Sequence, residues 1–429
     1  MLQNRLPRDA DPSIASKASP ICRLLTPLMK ISRRNFNATI LASVLEAAMG
    51  RSASLHGAEE TQQDLERSAR GKGQKFKATG FFRLEKTERC WLVTPDGTPF
   101  FSIALNHIDS APLRYPENGD LWTRKYGNSI ERWLKESVAP DLKEWGFNSV
   151  GWTQEVVTRG LTNQRHSRAF TLEEYQWLGL PYCHQLPFAD FHQWEVETRH
   201  PDFHSAEFAE WCDYVAREHC ARLAGDPKLI GYFYIDCPTW IHSRPHNQWK
   251  GPLFDPDKLK TEAGRNALSV LATKWYQVTH DAIRRYDKNH LIFGDRYEAG
   301  NPIAEEVVRA ALPYVDVLSF QHFKKPVEVA ANLRKWHDLA GKPVLLADQA
   351  MTLPQAEGIQ LHDGAGYAAT LNALRDIPGC VGYHLCGAYL RNKVRKRALR
   401  AADETPDIAA LTAIAAANRE AAEWIKTQQ

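Results

Sequence analysis

The side chains best placed to do chemistry in this chain stand at the ends of two apolar segments. Gly231-Tyr-Phe-Tyr-Ile-Asp-Cys-Pro-Thr-Trp240 runs from aromatic residues into Asp236, Cys237 and Trp240. Gly341-Lys-Pro-Val-Leu-Leu-Ala-Asp-Gln349 repeats the design and ends in Asp348. A short buried strand that finishes on a carboxylate delivers it to whatever pocket lies at the strand's C-terminal end. Two such carboxylates can share the work of a hydrolase, Asp236 as proton donor and Asp348 as nucleophile or base. Cys237 is a lesser nucleophile, because it needs an imidazole such as His184 or His242 to form a thiolate.

These segments require elements to hold them. From Gly80 the pattern Phe81-Phe-Arg-Leu84, Trp91-Leu-Val93, then Thr-Pro-Asp-Gly-Thr at 94–98, predicts a β-hairpin with Asp96-Gly97 in the turn. Phe100 to Leu105 follows as the first buried strand. Strands and helices then alternate, with further strands in 147–152, 181–188, 229–236, 291–295, 315–320, 343–347 and 380–384, and helices over 129–145, 205–224 and 261–286. The last helix places Leu268, Leu271, Trp275, Val278 and Ala282 at three- and four-residue spacing, a stripe suited to packing on a sheet. The fold class is α/β: a (β/α)8 TIM barrel with a short N-terminal β-hairpin, spanning residues 79–429. An open doubly wound sheet that binds dinucleotides would need a glycine-rich turn after its first strand, and none is there.

In a barrel of this kind the strand ends face one pocket. Read in order they are Asn106 and His107, Trp152 and Gln154, His184 and Gln185, Asp236 and Cys237, Asp295, Arg296 and Glu298, Gln321 and His322, Asp348 and Gln349, and His384. Aromatic rings near them stack on sugar C–H faces, and amides, imidazoles and carboxylates pair with hydroxyls. The expected substrate contacts are Asn106, His107, Trp152, His184, Trp240, Arg296, Glu298, Gln321, His322 and His384. Burial among Tyr232, Tyr234 and Trp240 would keep Asp236 protonated, as a general acid requires; an ion pair with Arg296 would do the reverse.

Several segments resemble a known family. Pro-Asp-Gly-x-Pro-Phe-Phe-Ser-Ile from Pro95, Leu-Ile-Gly-Tyr-Phe before Asp236, His-Leu-Ile-Phe-Gly-Asp-Arg-Tyr at 290–297 and Lys-Pro-Val-Leu-Leu at 342–346 resemble the clan A glycoside hydrolases, and among them the β-agarases. The resemblance covers about 80–390. It implies a retaining mechanism on β-linked sugars, with an acid/base at the fourth strand end and a nucleophile at the seventh. That family carries Asp-Asn-Glu after Gly-Tyr-Phe-x; here Asp236 falls on the asparagine and Cys237 on the glutamate. At the seventh strand the family's glutamate falls on Asp348, shorter by one methylene. Glu298, two residues past Arg296, is a second candidate acid.

Two other readings stand beside a glycosidase. A carbohydrate-binding barrel without catalysis would explain the missing Asn-Glu pair. A metal-dependent hydrolase could draw on His107, His322 and His384, although the first strand end has Asn106-His107 instead of His-x-His. His242 and His246 are four apart, but Pro245 argues against a helix that would pair them as ligands. No cofactor or metal is expected.

The N-terminal region differs from the rest. Ser32-Arg-Arg-Asn-Phe36 ahead of an apolar run from Ala38 to Met49 resembles a twin-arginine export signal, here placed over 29–58, with a linker over 59–78. Met29-Lys30 would serve as a start, so 1–28 reads as an extension. The expectation is an exported protein, periplasmic or secreted, that meets the twin-arginine machinery and an oligo- or polysaccharide and has no membrane span in its mature form. A net charge of +3 leaves no nucleic-acid footprint. The one dense basic stretch, Arg391 to Arg400, reads as a solvated loop or, less simply, as a contact for an anionic ligand. Eight cysteines without a Cys-x-x-Cys read mostly as core thiols.

Overall fold

Eight short parallel strands close in chain order into a barrel. They are β1 (Ser102–Leu105), β2 (Ser149–Val150), β3 (Tyr182–Gln185), β4 (Leu229–Asp236), β5 (Leu291–Glu298), β6 (Leu318–Gln321), β7 (Val344–Gln349) and β8 (Cys380–Leu385). The structure is a computed structural model and describes residues 76–153, 156–158, 164–189, 191, 200–238, 240 and 257–427. The signal, the extension and nearly all of the linker expected before residue 79, and Gln154, His242 and His246, lie outside the described residues. Among the described residues no helix is long and apolar enough to cross a membrane.

The (β/α)8 barrel is as expected, and the hairpin before it gains a third strand. Arg83–Lys86, Cys90–Val93 and Pro99–Phe100 form an antiparallel sheet. Its turn is the one read at Asp96-Gly97: Gly97 has φ +91°, and a Cβ there would lie 2.1 Å from the carbonyl oxygen of Phe76. Cys90 and Leu92 from this sheet, with Phe82 just before it, pack in one cluster with Phe233, Phe293, Val317, Leu345 and Val381 of the barrel interior. The small sheet thus plugs the barrel end at which the strands begin, and polar residues gather at the other end.

Helices cover the outer face. Glu262–Tyr286 begins at Thr261, whose hydroxyl accepts from the Gly264 N–H at 3.1 Å. It buries Leu268, Ala272, Trp275, Tyr276, Thr279, Ala282 and Ile283, each large apolar side chain contributing about 1.5–3 kcal/mol. Leu271 and Val278, expected inside that stripe, sit half-buried at its edge. The helix expected over 129–145 is broken up by a π turn at Leu134–Val138, followed by Ala139–Glu144 with Pro140 in its first turn. Proline has no N–H to return to the carbonyl four residues back, so the backbone widens ahead of it.

The seven described cysteines are buried and none is in a disulfide, as expected of core thiols.

Candidate active site

Alternation along a strand decides which residues reach the barrel's interior. On β5, Ile292 and Tyr297 pack with the outer core while Phe293 lies in the inner cluster, and Arg296 and Glu298, two apart, share a face. On β4, Tyr232 and Tyr234 face outward, Phe233 faces inward, and Ile235 again packs outward. Two successive outward residues mark a slip in alternation, matched by register shifts in the β4–β5 ladder, where Asp236 finally pairs with Arg296. The slip turns the Asp236 carboxylate onto the Arg296 side chain. Cys237 follows with φ +46°, a left-handed conformation uncommon without a glycine, and its N–H donates to the Arg296 carbonyl at 3.0 Å.

Arg296 is fully buried and joins three strands. Its Nε donates to Asp236 Oδ1 at 3.0 Å, and its Nη2 lies 2.5 Å from the same oxygen and 3.9 Å from Asp348 Oδ2. Its Nη1 donates to the Ala347 carbonyl at 3.3 Å, and its guanidinium carbon lies 3.8 Å from the Trp152 ring centroid. Gln321 Nε2 also donates to Asp236 Oδ1. The contact named at the sequence level as the alternative for Asp236 is therefore the one present. Tyr232, Tyr234 and Trp240 do not surround this carboxylate, because the Tyr232 hydroxyl bonds Asp287, Tyr234 packs on Trp275 and Trp240 turns to Asp295.

Asn106 positions Asp348. Its Nδ2 donates to Asp348 Oδ1 at 2.6 Å and to the Ala347 carbonyl at 3.0 Å, and its Oδ1 accepts the Trp152 N–H at 2.7 Å. Gly151 makes this arrangement possible: a Cβ there would lie 2.1 Å from Asn106 Oδ1 and 2.8 Å from His384 Nδ1. His384 sits in the barrel interior, bonded through Nε2 to Ser102 Oγ at 2.9 Å. Burial and then the nearby Arg296 push its pKa down to about 3, so the ring stays neutral.

Glu298, on the same face as Arg296, accepts the Gly300 N–H through Oε1 at 2.8 Å and meets the Cys237 thiol through Oε2 at 4.0 Å. A carboxylate thus reaches the residue that stands where the resembled family has its acid/base glutamate. His107 has φ +61° and lies beside Asp348 and the Cys386 thiol, with donor atoms of all three within 4.8 Å of one another. His322 is buried at the end of β6, and burial lowers its pKa.

The three imidazoles on which a metal-dependent hydrolase could draw do not come together among the described residues, since His384 is committed to Ser102 and neither it nor His322 falls in the His107 cluster. Two expected sugar contacts also point elsewhere. His184 Nε2 lies 2.9 Å from His219 Nδ1 of the helix Ala206–Leu223, behind the barrel wall, and burial pushes its pKa down to about 3. It shares a strand face with Tyr182, whereas Cys183 between them faces inward. Trp240 closes an aromatic box around Asp295, donating from Nε1 to Oδ2 at 3.3 Å. The Tyr276 hydroxyl bonds the same oxygen at 2.7 Å and lies 2.6 Å from the Tyr297 hydroxyl. Burial pushes Asp295 up to about 6. The sequence places Asp295 at the mouth, as alternation from inward Phe293 would; the register shift around Gly294, with φ +65°, turns it to the helices instead.

No family model and no curated protein matches the sequence. Solved structures do. An agarase, AgWH50C, superposes with a TM-score of 0.62 at 17% identity, covering 86% of this chain and 69% of its own. An exo-β-agarase gives 0.62 at 18% identity, covering 85% and 70%. The structure of BpGH50 gives 0.59 at 18% identity, covering 83% and 85%. At these identities the likeness is one of fold: the chain is built on the same closed (β/α)8 barrel as these agarases.

Proposed function

We propose that the protein is a glycoside hydrolase that cleaves a β-linked galactoside or a related glycan, with Asp236 and Asp348 as its carboxylate pair. The observation that carries this reading is the meeting of these two carboxylates, from the ends of β4 and β7, on one nitrogen of Arg296 at 2.5 and 3.9 Å. Their facing oxygens are no further apart than the sum of those contacts, a bound that lies between the roughly 5–5.5 Å of retaining pairs and the roughly 6.5 Å at which inverting pairs begin. What supports retention is the resemblance to the β-agarases. Asp348, aligned by Asn106, attacks the anomeric carbon as the glycosidic C–O bond breaks and the leaving oxygen takes a proton. Water then displaces Asp348 and returns a proton to the donor. The agarase fold supports a galactose-based substrate, and an exported location at 29–58 would suit a polymer met outside the cell.

The proton donor is contested by two residues. Asp236 holds the pair position but gives one oxygen to both Arg296 and Gln321. Glu298 shares the inward face and meets Cys237. Asp348→Asn should abolish turnover of agaro-oligosaccharides while leaving their binding intact. The donor is identified with a dinitrophenyl β-galactoside, whose leaving group needs no proton: its variant, Asp236→Asn or Glu298→Gln, keeps cleavage of this activated aryl glycoside and loses it on oligosaccharides. A wild type that binds but cleaves nothing across a broad glycan panel would instead support a sugar-binding barrel, a reading favoured by the substitution of Cys237 at the family's glutamate.

A further inference from the structure

The basic stretch that follows β8 is not a uniform solvated loop. Arg400 is committed to Asp141, with contacts of 2.6 and 2.8 Å to the two carboxylate oxygens. Arg395 and Arg397 turn instead towards the barrel mouth. Arg397 Nη2 donates to the Cys386 sulfur at 3.2 Å and Arg395 Nη1 to the same sulfur at 3.6 Å. Cys386 belongs to the cluster with His107 and Asp348, so both guanidinium groups stand one side chain away from the carboxylate proposed as nucleophile.

Among the described residues their one shared acceptor is a poor one. A thiol is a weak acceptor, and burial, followed by the nearby Asp348, raises the Cys386 pKa and keeps it from becoming an anion. Among the described residues neither arginine has a carboxylate within ion-pair distance, and the buried Nε of each has no hydrogen-bond partner. Cys386 and, from beyond ion-pair distance, Asp348 raise the Arg397 pKa but leave its fork of donors unfilled, and charge-assisted bonds to a planar or tetrahedral oxyanion are what that fork fits. There is room for such a group. Arg395, Lys396 and Arg397 line an open cavity of about 350 Å³ together with Val394 and with Gly358 and Gln360 from the segment after β7, within the size range of small-ligand pockets; it lies beside the strand ends and includes none of them, so a group seated there hangs from the outer side of the bound sugar. Phe323, partly exposed at the end of β6, lies under the Arg397 guanidinium at 5.3 Å. His107, Asp348 and Cys386 are residue types that bind cations, but two guanidinium groups against the sulfur oppose one there.

We propose that Arg395 and Arg397 form a subsite for an anionic substituent, a uronate carboxylate or a sulfate ester, carried by the sugar chain that enters the barrel mouth. The saccharide part of this proposal rests on the glycoside hydrolase reading; the anion part rests on the arginines. The natural substrate is then an acidic glycan in place of a neutral agarose, with its charged group held on the β7–β8 side of Asp348.

The test is binding, measured by calorimetry on the full chain, with D-galacturonate, D-galactose 6-sulfate, D-galactose and inorganic sulfate as probes. At least one charged sugar should bind about tenfold or more tightly than galactose, and which one does so identifies carboxylate or sulfate ester. The preference should vanish in the double variant Arg395→Gln/Arg397→Gln and survive in part in Arg397→Lys. Should the double variant fail to fold by thermal melting, added sodium chloride on the wild type takes its place, weakening the charged sugar and leaving galactose unchanged. Equal binding of charged and neutral sugars, a preference that persists without both arginines, or inorganic sulfate binding with no preference among sugars would each overturn the subsite. Arginine-dependent binding of an acidic sugar in a protein that cleaves no glycan would uphold the subsite and defeat the hydrolase reading. Cleavage of neutral oligosaccharides without any charged-sugar preference would do the opposite.

Discussion

Arg296 lies over the ring of Trp152, its guanidinium carbon 3.8 Å from the ring centroid, with Asp236 and Asp348 at its edge. The ring gives the cation a face, the carboxylates give it counter-charge, and no solvent reaches it.

Removing that cation should be severe. Arg296→Leu leaves Asp236 and Asp348 buried without it, and breaking a buried pair on one side costs about 3–5 kcal/mol. Urea unfolding is the measurement; a loss below about 1 kcal/mol would mean that the pair is solvated in ways the burial of Arg296 does not suggest.

Asn106→Ala removes the amide that donates to Asp348 Oδ1 at 2.6 Å. If Asp348 is the nucleophile, kcat should fall by about tenfold or more with little change in KM, because the lost contact aligns the attacking group and does not hold the sugar. Steady-state kinetics on one oligosaccharide decides it, and a rise in KM alone would place Asn106 on the substrate.

Gly151→Ala puts a methyl group into the Asn106 amide and the His384 ring at once. Neither neighbour is the end of a flexible side chain: Asn106 bonds three groups and His384 bonds Ser102. A cost of about 1–3 kcal/mol is expected for such overpacking, visible as a lowered Tm together with lost activity.

Asp295 should give stability a pH dependence of its own. Burial raises its pKa from the ordinary 3.8 to about 6 in the folded chain. Between those values the folded state binds the extra proton, so stability from this group is full below about pH 4 and is lost as pH rises through 6. Asp295→Asn, which cannot ionise, removes this slope. The difference in unfolding free energy between wild type and variant, measured from pH 4 to pH 7, should shift against the wild type by on the order of 2–3 kcal/mol; a flat difference would refute the shift.

Much of the barrel could be read in advance because each strand is a short apolar run ending in polar residues, and the helix stripe around Trp275 has the period of a surface helix. The ends of β4 and β7 were legible for the same reason. What strict alternation could not yield was the slip at Ile235, which depends on how β4 and β5 twist past one another and which alone turns Asp236 inward. His184 was misplaced for want of counting parity from inward Cys183, and Asp295 because the register shift at Gly294 reverses the alternation begun at Phe293. Trp240 was placed by proximity in sequence, while its contact with Asp295 is fixed by Tyr276 and Trp275 on a helix far along the chain. The two roles in the basic stretch, Arg400 bound to Asp141 and Arg395 and Arg397 turned to the mouth, depend on which partners the fold supplies.

The slip in β4 has a consequence for any carboxylate placed at 237. Since it is Asp236 and not Cys237 that meets Arg296, Cys237→Glu would add a carboxylate at a left-handed position beside Glu298 while Asp236 kept its place. Such a glutamate would be held against Glu298 and would share a proton with it more readily than take over from Asp236.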